Sequence, residues 1–177
     1  MTAAAPGGAD ANLYAALRAH FPPALDDVAI ETADAPGAGM PFEPLRYTWR
    51  DLESASARIA ALFADLALPP GARVLIQVDK SVEAVMLHLG ALRAGLVVVP
   101  LNAAYQAGEM DHFIDDAAPA LVVCAPRHFT WISRLAFARG VRTVLTLGDD
   151  RGGSLLERAA QMGDAFDTVP RAAGDVA

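Results

Sequence analysis

The stretch "LRAGLVVVPLNAAYQAGEMDHFIDDAAPALVVCAP", Leu92 to Pro126, decides the fold. It reads as a helix end, a buried strand, an amphipathic helix and a second buried strand. Gly95 suits the position just past a helix C-terminus. Further on, Met110, Phe113, Ile114 and Ala117 make one stripe, with Glu109, Asp111, Asp115 and Asp116 opposite. Strand–helix–strand in so short a span implies parallel strands joined by a right-handed crossover.

Working outward, the same unit repeats. The apolar runs "RVLIQVD", "LVVVPLN", "ALVVCAP" and "TVLTLG" begin at 73, 96, 120 and 143, so they are 23, 24 and 23 residues apart. The spacing predicts parallel strands over 73–79, 96–102, 120–126 and 143–148, with helices over 82–94 and 106–117 as crossovers. The runs are continuous rather than alternating, as in a sheet covered on both faces. Val82 to Arg93 is apolar almost all round, so that helix should be buried, with Ser81 as its N-cap. The fold class expected is α/β: a parallel βαβ sheet with helices on both faces.

Upstream, "NLYAALRAHF" sets Leu13, Leu17 and Phe21 at helical spacing, which predicts a short amphipathic helix buried on that side. "DVAIET" and "LRYTW" suggest a short β-hairpin around the loop "ADAPGAGMPFEP". Thr48, with Asp51 three residues on, caps a long helix whose core face is Leu52, Ala55, Ile59, Leu62, Phe63 and Leu66. "PPG" at 69–71 is expected to stop it. Residues 1–11 are rich in Ala and Gly and are expected to be mobile.

The composition excludes several function classes. Of 177 residues 54% are hydrophobic and 20% charged, enough for a real core. A net charge of −7 with scattered arginines gives no surface for nucleic acid, and Lys80 is the one lysine among 14 basic residues. The N-terminus has neither a basic segment nor an apolar one, so no secretory signal is expected. The most hydrophobic stretch is broken by Arg93, Gly95 and Pro100 and falls short of the ~20 apolar residues a membrane span needs. A soluble, cytoplasmic protein is expected. The single cysteine, Cys124, sits inside an apolar run and reads as a buried structural thiol.

Open α/β sheets bind ligands beyond the C-terminal ends of their strands. Those ends carry Asp79 and Lys80, Leu101 and Asn102, Arg127 and His128, and Gly148 and Asp149. "GDDRGGSLLERA" is glycine-rich between a strand and a helix, but it lacks the P-loop lysine and its two aspartates would repel phosphate. Ser154 and Glu157 are expected to form a capping box there. The histidines show no metal-ligand spacing. His88 reads as a satisfied core residue and His112 as the partner of Asp115 or Asp116 on an exposed helix face. No catalytic set and no metal site are identifiable.

The opening stretch, with "RYTWRDLESASARIAALFADLALPPGARVLIQVDKSVEAV" before it, resembles the N-terminal region of the adenylate-forming enzymes. That superfamily comprises acyl-CoA synthetases, peptide-synthetase adenylation domains and luciferases. Its pattern is an apolar strand into Pro-(Leu/Ile)-(Asn/Asp), then Glu-Leu-x-x-x-(Ile/Leu)-x-Asp. Ala72 departs from it, standing where the family has Asp in its "G-D-R-V" strand. The wording "KS-x-E-A" and "PLN-x-A-Y" is most similar to the malonyl-CoA synthetases. The resemblance covers residues 12–177. It implies the N-terminal part of an AMP-binding domain, ending before the family's Thr/Ser/Gly-rich phosphate loop, from a parent using ATP, Mg²⁺, CoA and a small carboxylic acid. No bound cofactor and no activity are expected of residues 1–177 alone. It further implies that Asn102 and Tyr105, and more weakly Lys80, line the approach of CoA, and that an uncovered apolar face makes the chain associate with itself. The alternative is a free-standing, non-catalytic binding or interaction module on the same fold.

Overall fold

The structure, a computed structural model, describes residues 10–33 and 44–177; the rest of the N-terminal segment and the hairpin loop lie outside them. The elements in order are α1 (Leu13–Arg18), β1 (Val28–Glu31), β2 (Arg46–Thr48), α2 (Trp49–Asp65), β3 (Arg73–Gln77), α3 (Val82–Arg93), β4 (Val97–Pro100), α4 (Ala107–Ala117), β5 (Leu121–Cys124), α5 (Phe129–Ala138), β6 (Thr143–Thr146) and α6 (Ser154–Ala159). The strands β3 to β6 form one parallel sheet in the order β4-β3-β5-β6, and β1 and β2 pair antiparallel.

Alternate residues of each strand serve two cores. Val74, Ile76, Leu121 and Val123 pack with Leu52, Phe63 and Leu87, against α2, α3 and α6. Leu75, Val122 and Cys124 pack with Met110, Ile114 and Ile132, against α4 and α5. Burying both faces is what the unbroken apolar runs require. Pro100 ends β4, an edge strand, where a missing N–H disrupts no ladder.

The helix ends follow local chemistry. Thr48 and Asp51 form the capping box of α2, and Ser81 Oγ accepts from Ala84 N at 3.0 Å at the start of α3. α2 stops at Asp65, ahead of the Pro-Pro-Gly turn, because Ala67 takes a left-handed φ of 54°. α2 and α3 pack without a spacer: a Cβ on Gly90 would lie 2.6 Å from Cγ2 of Ile59.

Two local expectations are overturned. α1 buries the flank of the Leu13–Leu17–Phe21 stripe rather than its leucines: Leu13 and Leu17 are 46% and 43% exposed, and Tyr14, about 60° round the helix from Leu17, is buried. The reason is polar. Arg93 Nη1 donates to Tyr14 Oη at 3.0 Å and to Ser56 Oγ at 3.2 Å, so Tyr14 must enter the interior to meet it. Ser154 is not an N-cap; Gly153 holds that position and the Ser154 hydroxyl is engaged with Thr146, each residue's N–H donating to the other's side-chain oxygen at 3.0 Å.

Beyond α6 the chain runs back across the bundle. Arg93 Nη2 donates to Phe166 O at 2.6 Å, Asn12 Nδ2 donates to Val169 O at 2.8 Å, and Ala11 N donates to Arg171 O at 2.9 Å. Asp10 Oδ1 accepts from Arg171 N at 3.1 Å.

The connection from β3 to β4 runs outward in one direction, and those from β4 to β5 to β6 run in the other. The order therefore reverses between β3 and β5, and the crevice beyond these two strand ends is where an open α/β sheet takes a ligand.

Candidate functional site

Four strand ends converge at the C-terminal edge of the sheet. β4 leaves through the loop Leu101–Gln106, which is ordered by its own side chains. Asn102 Oδ1 accepts from Ala104 N at 2.9 Å, Tyr105 N donates to Asn102 O at 3.1 Å, and Gln106 N donates to Glu109 Oε2 at 2.8 Å. The Tyr105 ring stacks on Phe113 of α4 with centroids 5.2 Å apart.

The end of β3 supplies an anchor for that loop. Gln77 is fully buried, and its Nε2 donates to Tyr105 O at 2.9 Å and to Asn102 O at 3.2 Å. Its Oε1 has no hydrogen-bond partner among the described residues. Asn102 and Tyr105, expected from the sequence to share a site, are thus held together through a residue the sequence did not single out. Gln77 lies inside an apolar run and bonds only to backbone oxygens, so no motif marks it.

Across the order reversal, Asp79 and Arg127 form a two-pronged ion pair, with Nη1 to Oδ2 at 2.5 Å and Nη2 to Oδ1 at 2.8 Å. The Arg127 hydrogen bond holds the Asp79 carboxyl below its ordinary range, against a smaller opposing effect of burial. The His128 ring tilts against Trp131 at 5.4 Å, and its Nδ1 is buried with no partner among the described residues. Burial, helped by neighbouring Arg127 and opposed by Asp79, holds the imidazole below its usual range, which keeps it neutral near pH 7.

Lys80 follows the end of β3. It lines a groove of about 520 Å³ with Tyr47, Glu83, Asp149 and Arg151, bounded by the hairpin and the start of α3. Tyr47 Oη donates to Glu83 Oε1 at 2.8 Å, and burial first, then that bond, raises the Tyr47 hydroxyl above its ordinary value.

The glycine-rich turn after β6 is filled by itself. Asp150 Oδ1 accepts from Gly152 N at 3.0 Å, Arg151 is left-handed, and a Cβ on Gly153 would stand 2.4 Å from Thr146 O. The space inside the turn is taken up by the Asp150 side chain and the Thr146 backbone. Cys124 is a buried thiol pushed up to about 12 by desolvation, which makes it a poor nucleophile. His88 Nδ1 meets Ala84 O at 2.6 Å, a satisfied partly buried ring. Asp111 and Asp115 are gathered by Arg139 of the next helix, rather than by His112. Among the described residues no group of three or more His, Cys, Asp or Glu side chains could hold a metal ion, and no helix is long and apolar enough to cross a membrane.

A family model described as AMP-binding enzyme matches residues 25–175. Among solved structures, ATP-bound MatB from Rhodopseudomonas palustris is 40% identical with a TM-score of 0.83, over 94% of this chain and 31% of that one. Among curated proteins, the long-chain-fatty-acid–CoA ligase of Yersinia pestis is 28% identical over 141 residues, 79% of this chain and 24% of the ligase. The nonribosomal peptide synthetase vlms of Lecanicillium sp is 30% identical over 125 residues, 67% of this chain and 1% of the synthetase. The chain thus spans a third or less of the length of each.

Proposed function

Because the chain belongs to the AMP-binding enzyme family, we propose that it is the scaffold subdomain of an acid–CoA ligase acting on malonate. The observation that carries this reading is the 40% identity to ATP-bound MatB over 94% of the chain, and the "KS-x-E-A" and "PLN-x-A-Y" wording points to malonate. In the proposed reaction a malonate oxygen attacks the α-phosphorus of ATP and pyrophosphate leaves. The CoA thiolate then attacks the acyl-adenylate carbonyl, and AMP leaves as malonyl-CoA forms. A carboxylate oxygen is a poor leaving group until it becomes an adenylate, so the first step needs a triphosphate cradle. We assign that cradle, the other adenylating groups and the site for Mg²⁺ to the rest of the parent enzyme, since this chain matches 31% of the MatB chain.

This chain's part is to hold loops. Asn102 and Tyr105 border the path of CoA, with Lys80 as a more distant cation on the same edge of the sheet. The exposed side of α1 bears on association. Leu17, Phe21, Trp49, Leu52 and Leu89 line a hollow of about 560 Å³. An exposed apolar surface of this kind marks an interface, and the 177-residue chain is expected to self-associate through it.

A pyrophosphate-release assay tests the reading, with malonate, methylmalonate, acetate and a medium-chain fatty acid. Residues 1–177 alone should be inactive, and the same residues joined to an AMP-binding remainder should prefer the small dicarboxylates. Turnover by the short chain would refute the scaffold reading, and preference for the fatty acid would remove malonate. A second reading, a free-standing binding module, draws on one observation: Asp10, Ala11 and Asn12 are bonded to Val169 and Arg171, which closes the unit on itself.

A further inference from the structure

We infer that Gln77 is a positioning residue, which fixes the Asn102–Tyr105 loop so that the thiol substrate can pass it. The inference rests on the CoA path proposed above. Its geometric basis is independent of that path.

The amide has one orientation that works. Its Nε2 faces two carbonyl oxygens, Tyr105 O at 2.9 Å and Asn102 O at 3.2 Å, and the flipped amide would set an oxygen against both. The same two carbonyls bracket the loop, because Tyr105 N already donates to Asn102 O at 3.1 Å. One buried nitrogen therefore ties both ends of the loop to the sheet, while Asn102 itself stays exposed. The base of the loop is bonded to the sheet as well, with Leu101 N donating to Ile76 O at 2.8 Å.

The other half of the amide argues against a role in stability. Gln77 Oε1 is buried with no donor among the described residues, and such an acceptor is a cost to the folded state. An apolar side chain of equal length would suit the surrounding Leu75, Val122 and Cys124 better. What the amide adds is loop position. The sequence around it also fits a rigid mount: Gln77 O accepts from Ala125 N at 3.0 Å, so the strand that carries it is paired to its last residue.

Gln77→Met keeps the length and removes both donors and the orphan acceptor. In the 177-residue chain, amide exchange at Ala104 and Tyr105 should speed up roughly tenfold while the melting temperature stays within about 2 °C of the parent. In the longer ligase, KM for CoA should rise roughly fivefold or more, with the rate of pyrophosphate exchange unchanged. Unchanged loop exchange overturns the inference. Loss of the folded state in both Gln77→Met and Gln77→Leu also overturns it, since the residue would then be structural. Faster loop exchange with an unmoved KM for CoA overturns the CoA path itself while Gln77 still braces the loop, which separates the two ideas.

Discussion

Arg93 and Tyr14 meet inside the protein, with the guanidinium carbon 4.9 Å from the ring centroid and Nη1 donating to the phenol oxygen at 3.0 Å. Arg93 is 8% exposed, and no carboxylate is paired with it among the described residues. It is satisfied by neutral acceptors: Tyr14 Oη, Ser56 Oγ, Glu53 O and Phe166 O. Those acceptors belong to three separate parts of the chain, so one side chain of α3 joins it to α1, α2 and the C-terminal segment.

Arg93→Met should therefore destabilise the chain by about 2–4 kcal/mol, because it leaves several buried acceptors without a donor. Tyr14→Phe removes one bond to the guanidinium and one from Ser56 Oγ, which keeps its bond to Glu53 O, and should cost about 1–2 kcal/mol. Urea unfolding of the two variants checks the order. Amide exchange at Val169, whose N–H donates to Arg93 O, should rise in Arg93→Met more than exchange within β3.

Gly90 and Ile59 make a second test. A methyl at Gly90 would press on Ile59 Cγ2 at 2.6 Å and Cβ at 2.7 Å, so α2 and α3 would have to separate. Gly90→Ala should cost about 1–3 kcal/mol despite its better helix propensity. Adding Ile59→Ala should recover part of that loss. A double variant that merely sums the two single losses would show that the clash is not the cause.

Acid should unfold the chain in two separable steps. Burial depresses His128, so the unfolded state takes the proton first as pH falls through ~6.5. Stability is then lost from that pH downward, until the folded imidazole is protonated too. Asp79 is depressed by Arg127, so its contribution is complete above ~3.9 and is lost as pH falls through that value toward the lower folded one. His128→Phe should remove the upper step and leave the lower, and Asp79→Asn should do the reverse. The urea midpoint measured from pH 8 to pH 3 reads both.

The four sheet strands were legible because burial on both faces leaves a continuous apolar run, and equal crossovers space the runs evenly. The caps at Thr48 and Ser81 were legible because their partners lie within one helical turn. What failed was whatever depends on a distant partner. The helical spacing of Leu13 and Leu17 is real, but Tyr14 answers to an arginine 79 residues away, and that wins the interior. Asp115, expected to pair with His112, instead meets Arg139, just past the end of α5. At the candidate site, Asn102 and Tyr105 were visible through a family pattern, whereas Gln77 was hidden in a strand.

The apolar side of α1 yields the fourth prediction. Leu13→Ser with Leu17→Ser removes exposed hydrocarbon and no buried contact of the two cores. Sedimentation velocity should show less association in the double variant than in the parent chain, with an unchanged urea midpoint. Equal association in both would place the contact elsewhere.

The bond from Asn12 to Val169 spans 157 residues, and it bears on the order in which a ribosome delivers the parts. Chains emerge amino end first. α3 and its two strands can pair once the segment to Pro100 is out, and β3 gains its second neighbour when Cys124 follows. α1 can meet α2 early, through Arg18 and Glu53, but Tyr14 waits for Arg93, and Asn12 waits for Val169. A helix made ahead of the other described ones thus receives its last fastenings from much later residues, and until then its exposed leucines are free to meet a chaperone.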